Sequence, residues 1–277
     1  MSSTVDSGSG VLDPTAIDDA VRDLDRAERN REQIGLLSDR YPGMTMDDAY
    51  AIQEAWIAAK LGRGEVITGW KIGLTSKAMQ AALSISIPDS GILLQSMAFA
   101  NGATIPRGRF IEPRVEAEIA FVTKEALSPD DVSPDAILAA TAYVAPMIEI
   151  LDTRIVRKDP VSGRSRTVCD TISDNAANGG YVLGEPVDVT TGIDLRWIGA
   201  IVSRNGEVEE TGLGAGVLGD PLISVAWLVE RLAKYGQRIE AGQVVLSGSF
   251  IRPVEAPSGS EITADFGAFG RVHCSFE

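Results

Sequence analysis

The sequence predicts an α+β protein with a mixed, β-rich core, rolled or barrel-like, that follows an N-terminal helical portion. Up to residue 64, apolar residues recur every three or four positions, as in amphipathic helices. From residue 65 onward the chain changes to short β-branched and aromatic runs separated by glycine and proline. Two helical stretches, near SPDAILAA and ISVAWLVERLAKYG, interrupt these runs. Many short strands with turn residues between them favour a rolled or barrel-like sheet.

Three segments follow from this change. Residues 1–14 are small and polar, lack the parts of a signal peptide, and are expected to form a disordered tail. Residues 15–64 form the helical portion, in which Thr45 and Asp48 are placed to cap a second helix. Residues 65–277 form the β-rich core.

The composition excludes several classes of protein. The chain has 39 acidic and 25 basic residues and no basic footprint, so nucleic acid is not an expected partner. No apolar run approaches the roughly 20 residues of a membrane helix. Cys169 and Cys274 match no CxxC spacing, which favours reduced thiols in the cytoplasm. His273 is the single histidine, so a histidine-rich zinc site is excluded.

The segment VEAEIAFV, residues 115–122, carries the sharpest local pattern. In a strand, alternation places Glu116 and Glu118 on one face and apolar side chains on the other. Two neighbouring carboxylates repel, and each raises the pKa of the other unless a cation intervenes. Taken alone, this segment favours a solvated outer face of a sheet.

Glu149 changes that balance because it is the only charged residue in the apolar run YVAPMIEIL. An unpartnered buried carboxylate is too costly, so Glu149 lies at a surface edge, pairs with a base, or binds a metal. If Glu149 meets Glu116 and Glu118, the three make an all-oxygen site that suits Mg²⁺ or Mn²⁺. A cation there also supplies positive charge for an anionic substrate.

Lys71 lies inside the apolar strand GWKIGL, either with its ammonium group reaching water or as a partly desolvated amine that moves protons. The loop DTISDNAANGG, residues 170–180, is either a helix-capping turn or the lining of a site. In LSGSF, Ser247 and Ser249 are weak candidates for binding a carboxylate. His273 is expected to be structural or exposed.

Several of these segments, in the same order, resemble the hydratase–decarboxylase branch of the fumarylacetoacetate hydrolase superfamily. The resemblance runs from about Tyr50 to the C-terminus through TGWKIGLTSKAMQ, RFIEPRVEAEIAFV, DTISDNAAN, LRWIGAIVSRNGEVEETGLGAGVLG and AGQVVLSGSFIRP. It implies a fumarylacetoacetase-like β-roll after an N-terminal helical portion, and a homo-oligomer built from dimers. A partner enzyme of the same pathway is also compatible with it.

The resemblance implies roles for particular residues. The metal ligands fall on Glu116, Glu118 and Glu149, and the active-site lysine falls on Lys71. Asp89, in IPDSG, enters as a catalytic residue on the resemblance alone. The residue after Asp89 is Ser90, where family members often carry tyrosine, so the local pocket is expected to differ. For a second substrate carboxylate, the candidates are Arg154, Ser247 and Ser249.

The activity implied is that of a divalent-metal-dependent hydratase in the catabolism of aromatic compounds. It adds water to a small 2-hydroxy-2,4-dienoate, with the dicarboxylate 2-oxohept-4-ene-1,7-dioate as the expected substrate. The alternatives within the branch are decarboxylation of 4-oxalocrotonate (2-oxo-3-hexenedioate) and hydration of 2-hydroxypentadienoate. Two further classes stay open: metal-dependent C–C hydrolysis of acylpyruvates, and a non-enzymatic acidic binding protein.

Overall fold

The computed structural model describes residues 12–77, 80, 85, 87–189 and 192–277. Most of the predicted disordered tail, residues 1–11, lies outside this part of the chain. The chain forms two compact units. One consists of the residues up to Gly64 together with Thr153–Ala177, and the other consists of Glu65–Asp152 together with Asn178–Glu277.

The α-helices among the described residues are α1 (Pro14–Asn30), α2 (Leu37–Arg40), α3 (Met46–Leu61), α4 (Pro134–Ala140), α5 (Val168–Ser173) and α6 (Pro221–Ala233). The strands are β1 (Ile67–Gly73), β2 (Asp89–Leu94), β3 (Ala98–Phe99), β4 (Thr104–Ile105), β5 (Arg114–Thr123), β6 (Thr141–Leu151), β7 (Asn178–Leu183), β8 (Gly199–Arg204), β9 (Glu207–Leu213), β10 (Val244–Leu246), β11 (Val254–Glu255), β12 (Glu261–Asp265) and β13 (Arg271–Phe276). No helix of the described residues has the length and apolar character needed to cross a membrane.

The first unit is helical. Its α3 begins at the predicted capping box, in which Thr45 accepts from the Asp48 amide and the Asp48 side chain accepts from the Thr45 amide. Ile155 packs in one cluster with Leu24, Ile52 and Trp56, all fully or almost fully buried. These contacts join segments that lie about a hundred residues apart in the sequence. The sequence analysis divided the chain into consecutive segments and so assigned residues 153–177 to the β-rich core, whereas in the structure they pack in the helical unit.

The second unit holds two sheets. The larger has eight strands in the order β2-β1-β10-β5-β6-β7-β3, with β11 also paired to β5. The smaller has five strands in the order β4-β13-β12-β8-β9. Both mix parallel and antiparallel pairs, such as the parallel pair β1–β10 and the antiparallel pair β5–β6. The predicted fold class, α+β with a mixed, β-rich, curled core after N-terminal helices, is confirmed.

Candidate metal centre and active site

The long antiparallel pair β5–β6 places the three glutamates together. Glu116 lies directly opposite Glu149 in the register, and Glu118 is the next residue of β5 on the same face. One carboxylate oxygen from each of the three lies within 4.8 Å of the others. Glu118 and Glu149 are fully buried, and Glu116 is half-buried at the cavity described below. A solvated outer face, which the segment alone favoured, is therefore wrong.

Glu149 and Glu118 each accept a hydrogen bond through one carboxylate oxygen. Asn178 donates from Nδ2 to Glu149 Oε1 at 2.7 Å, and the amide of Gly248 donates to Glu118 Oε2 at 2.8 Å. Glu149 Oε2 and Glu118 Oε1 are buried without a hydrogen-bond partner among the residues that the structure describes. Buried carboxylate oxygens that lack donors are costly. Three converging carboxylates, two of which carry a buried oxygen without a donor, fit a hard divalent cation, whose preferred ligands are oxygens.

Lys71 lies beside this cluster on β1, the second strand of the larger sheet. Its residue is 3% exposed, and its Nζ lies 3.4 Å from Glu149 Oε1. Burial by itself lowers the pKa of the ammonium group, but the charges of Glu149, Asp89, Glu116 and Glu118 together outweigh it and raise that pKa. Lys71 is thus held as a cation, which excludes the water-reaching alternative considered from the sequence.

The pKa values of two carboxylates are raised as well, which favours their neutral form, whereas the raised pKa of Lys71 favours its charged form. Burial, together with the charge of Glu149, raises the pKa of Glu116 to about 8, although Lys71 lowers it in part. Burial and the charges of Glu149 and Glu116 raise the pKa of Glu118 well above its usual range. Glu116 and Glu118 therefore favour their protonated forms until a further positive charge arrives.

Asp89 opens β2 opposite Gly73, the last residue of β1, and it is buried. A side chain at position 73 has no room: a Cβ there would overlap Asp89 Oδ1 and lie 3.0 Å from Lys71 Nζ. The absence of a side chain at Gly73 thus allows Asp89 and Lys71 to approach the same point. This position of Asp89 is compatible with the role that the resemblance implies, which stays a prediction.

The loop after β10 contributes through its backbone. Gly248 adopts φ +107°, which L side chains rarely reach, and a Cβ there would overlap the side chain of Thr75. This conformation aims the Gly248 amide at Glu118. The sequence pattern singled out Ser247 and Ser249 in this loop and missed the glycine between them, whose amide carries no side-chain signal.

Gly248→Ala is expected to lower the free energy of unfolding by about 1–3 kcal/mol, because it combines backbone strain with crowding. It should also weaken binding of a divalent cation, since the donor to Glu118 is displaced. Thermal unfolding with and without Mg²⁺ measures both effects. Gly259→Ala is the matched control: Gly259 has φ +86° and nothing within 4 Å of an added Cβ, so only the strain applies. Equal loss in both variants contradicts the prediction.

A cavity of about 380 Å³ adjoins the cluster, a size within the range of roughly 300–1,000 Å³ usual for small-molecule sites. Its lining residues are Gly73, Leu74, Thr75, Ser76, Glu116, Glu210, Thr211, Gly216, Ser249, Phe250, Ile251, Arg252 and Pro253. Glu116 thus faces both the carboxylate cluster and the cavity. The cavity is where a substrate can reach the site.

The remaining predicted site residues have different positions. Ser249 lines the cavity and donates from Oγ to the carbonyl of Ile251 at 2.9 Å. Ser247 is fully buried, and its Oγ has no partner among the described residues. Arg154 lies in the helical unit, 2% exposed, with Nε 2.5 Å from Asp174 Oδ1. Its guanidinium is committed to that ion pair, which argues against Arg154 as the partner of a substrate carboxylate.

Asn178, Gly248 and Arg252 were not among the predicted site residues. Asn178 had a signal, since it belongs to the polar loop 170–180 that was considered as a site lining. Arg252 follows LSGSF directly, but a lone arginine in a loop has no pattern of its own. His273 is exposed on β13, as the sequence indicated.

Comparison with known proteins places this fold and site in one class. The chain is 49% identical over 253 residues, 91% of its length and 95% of the relative, to 2-oxo-hept-4-ene-1,7-dioate hydratase of Escherichia coli. It is 35% identical over 255 residues to 4-oxalocrotonate decarboxylase of Pseudomonas putida, covering 91% of this chain and 94% of that relative. No family model matches the chain.

A solved structure agrees with these relatives. The structure of 4-oxalocrotonate decarboxylase from Pseudomonas putida G7, complexed with magnesium and adipate, superposes with a TM-score of 0.89 at 32% identity, covering 97% of this chain and all of that one. The chain belongs to the hydratase–decarboxylase branch of the fumarylacetoacetate hydrolase superfamily.

Proposed function

We propose that this protein is a divalent-metal-dependent hydro-lyase that adds water to a 2-hydroxy-2,4-dienoate, with 2-oxohept-4-ene-1,7-dioate as its substrate. The observation that carries the proposal is the triad Glu116, Glu118 and Glu149, two of them fully buried, beside the buried cation Lys71. This arrangement occurs in a chain that is 49% identical to a hydratase of that substrate.

Glu116, Glu118 and Glu149 would hold Mg²⁺ or Mn²⁺, because their converging oxygens are the ligands these ions prefer. When bound, such an ion acts as a Lewis acid toward the oxygens of a 2-oxo acid and stabilises negative charge that develops there. Asn178 and Gly248 fix the orientation of two of the ligands by hydrogen bonds. The magnesium of the Pseudomonas putida G7 decarboxylase structure supports this assignment.

The reaction requires two proton movements. The hydroxyl proton of the dienol leaves C2–OH and a proton is added at C5, which gives a conjugated 2-oxo-3-enoate. Water then adds as hydroxide at C4 and as a proton at C3, yielding a 4-hydroxy-2-oxo acid. Lys71 is charged and so stabilises the anionic oxygen as these protons move, while Asp89, beside it at Gly73, is the candidate acceptor.

Decarboxylation of 4-oxalocrotonate is the second candidate, because the chain is 35% identical to that decarboxylase and matches the fold of its solved structure at a TM-score of 0.89. Loss of carbon dioxide also forms an enolate, so the same site serves it. Acylpyruvate hydrolysis has less support. It needs a base to activate water, and the single histidine is exposed on β13, hydrogen-bonded through its amide to Asn101.

The test is a direct assay of purified protein with Mg²⁺ against mono- and dicarboxylic hydroxydienoates, followed by the loss of dienoate ultraviolet absorbance. Carbon dioxide release from 4-oxalocrotonate is measured in parallel, and EDTA is the control. Fast, EDTA-sensitive loss of 2-hydroxyhepta-2,4-diene-1,7-dioate absorbance is the expected result. Faster carbon dioxide release replaces the first candidate by the second, and inactivity on every substrate refutes both.

Metal binding should depend on pH, because protons must leave the raised-pKa carboxylates before a cation is bound. A carboxylate whose folded pKa is raised stabilises the fold below its unfolded pKa of 4.5, and loses that contribution as the pH rises through about 8 for Glu116. The metal-free protein should therefore unfold at lower temperature as the pH rises across this window.

Conversely, the increase in melting temperature caused by Mg²⁺ should grow with pH. Below the raised pKa values, the apparent affinity is expected to increase up to about tenfold for each pH unit and each proton displaced. Differential scanning fluorimetry with and without Mg²⁺ across this range measures both trends. If the Mg²⁺-induced increase in melting temperature is constant with pH, the raised pKa values of Glu116 and Glu118 are contradicted.

The partner and location of the chain stay proposals. Self-association is supported by the outer face of β8 and β9, where Ile201, Val208 and Leu213 share one face and are exposed. Sedimentation velocity tests for dimers and larger assemblies. Both cysteines are unbridged, which agrees with a cytoplasmic location. A pathway-partner enzyme is compatible with the family and is tested by co-purification.

A further inference from the structure

The charges that line the cavity are unevenly placed. Glu116 belongs to the carboxylate cluster, whereas Glu210 and Arg252 belong to β9 and to the loop before β11. Among the described residues that line the cavity, Arg252 is the single cation. An acidic protein that takes up an anionic dicarboxylate needs positive charge at both ends of the ligand, and the metal serves one end only.

Arg252 is held at a defined place relative to the cluster. Two residues after it, Val254 pairs with Val115 of β5, and the next residue of β5 is Glu116. Pro253 intervenes and fixes one backbone dihedral of the connection. The strand that presents the first metal-binding candidate therefore also anchors the arginine.

The present partner of Arg252 is replaceable. Its side chain is 82% exposed, and Nη2 lies 2.5 Å from Oε1 of Glu210. Exposed ion pairs contribute little because water and salt screen them. The guanidinium carries five donors in a planar fork, of which a carboxylate can take two in parallel. A ligand carboxylate that enters the cavity can thus displace or join Glu210 at small cost.

We propose that Arg252 binds the distal carboxylate of a dicarboxylic substrate and that Glu210 is its resting partner, so that this pair selects dicarboxylates over monocarboxylates. The inference rests on the proposed function, since it names what recognises the end of the substrate remote from the metal. A monocarboxylate leaves the Arg252–Glu210 pair intact and gains nothing from it. A dicarboxylate gains a charge-assisted hydrogen bond in a partly enclosed site.

The test compares the two substrate lengths in variants of the pair. Arg252→Gln should raise the ratio of KM for the heptadienedioate to KM for 2-hydroxypenta-2,4-dienoate up to about fivefold, the size expected for an exposed charge pair. Glu210→Gln should lower the same ratio by several-fold, because the arginine loses its competing partner. Arg196→Gln is the matched control: Arg196 pairs with Asp194 on the surface and does not line the cavity.

Binding of adipate, measured by calorimetry in the presence of Mg²⁺, gives a readout that does not require turnover. We expect Arg252→Gln to weaken adipate binding up to about fivefold, and Arg196→Gln to leave it unchanged. An unchanged KM ratio together with unchanged adipate binding overturns the inference while the hydratase activity stands. If the wild-type protein hydrates neither dienoate, the proposed function is refuted. If adipate binding is nevertheless weakened in Arg252→Gln, the binding site is upheld.

Discussion

Glu149→Gln is expected to lower kcat/KM about a thousandfold while leaving the fold intact. The substitution keeps the shape of the side chain and an oxygen for the Asn178 amide, but it removes one of three anionic ligands. Lewis-acid stabilisation contributes several kcal/mol to reactions of this kind, and each 1.36 kcal/mol corresponds to about tenfold in rate. Steady-state assays at saturating Mg²⁺ measure the loss.

The stability of the same variant should change in the opposite sense. In the metal-free protein, Glu149 is a fully buried carboxylate, and its charge raises the pKa of both Glu116 and Glu118. Replacing it by a neutral amide relieves that repulsion, and Asp89, Glu116 and Glu118 remain as counter-charges of Lys71, so metal-free Glu149→Gln should unfold at the same or a higher temperature than the wild type. The increase in melting temperature produced by Mg²⁺ should disappear.

Glu240→Gln is the matched control, since Glu240 carries an exposed side chain paired with Arg238 and should lose neither activity nor metal response. Full activity of Glu149→Gln at saturating Mg²⁺ would contradict the assignment of Glu149 as a metal ligand. A variant that is inactive and also unfolded at lower temperature would indicate a structural role instead.

Lys71→Met should lower kcat about 10²- to 10³-fold, the loss expected when one preorganised group that stabilises a developing oxyanion is removed. The cation at this position lies among Glu149, Asp89, Glu116 and Glu118, and its charge acts to lower the pKa of both Glu116 and Glu118. Methionine fills the same buried space without the charge. A stopped-flow or steady-state assay of dienoate loss measures the effect.

Metal binding separates the role of Lys71 from that of the ligands. Removing an ammonium group next to the cluster removes repulsion toward a cation, so Mn²⁺ affinity above the raised pKa values should be equal to or tighter than that of the wild type, as measured by electron paramagnetic resonance. Lys60→Met is the control: Lys60 is also a buried lysine, paired with Glu28 in the helical unit. Loss of Mn²⁺ binding in Lys71→Met would contradict a role confined to stabilising the anionic oxygen of the substrate.

The local pattern was sufficient for the elements that carry the site. Period-2 alternation placed Glu116 and Glu118 on one face of a strand, and β5 has them so. The capping box at Thr45 could be predicted because its two residues, Thr45 and Asp48, are only three positions apart in the sequence. Glu149 and Lys71 stood out because a charge inside an apolar strand must find a partner. These inferences depend on contacts that are near in sequence or on the cost of burying charge.

The sequence by itself therefore determined the fold class, and it predicted the strands that carry the site and the candidate residues for binding a cation or moving protons. Only the tertiary structure decided which groups meet: that Glu149 lies opposite Glu116, that the Gly248 amide reaches Glu118, and that Arg252 rather than Arg154 lines the cavity. The physical reason is that strand register and backbone donors arise from packing between distant segments. A charged residue within an apolar run indicates that the charge needs a partner. The run does not indicate which distant residue provides that partner.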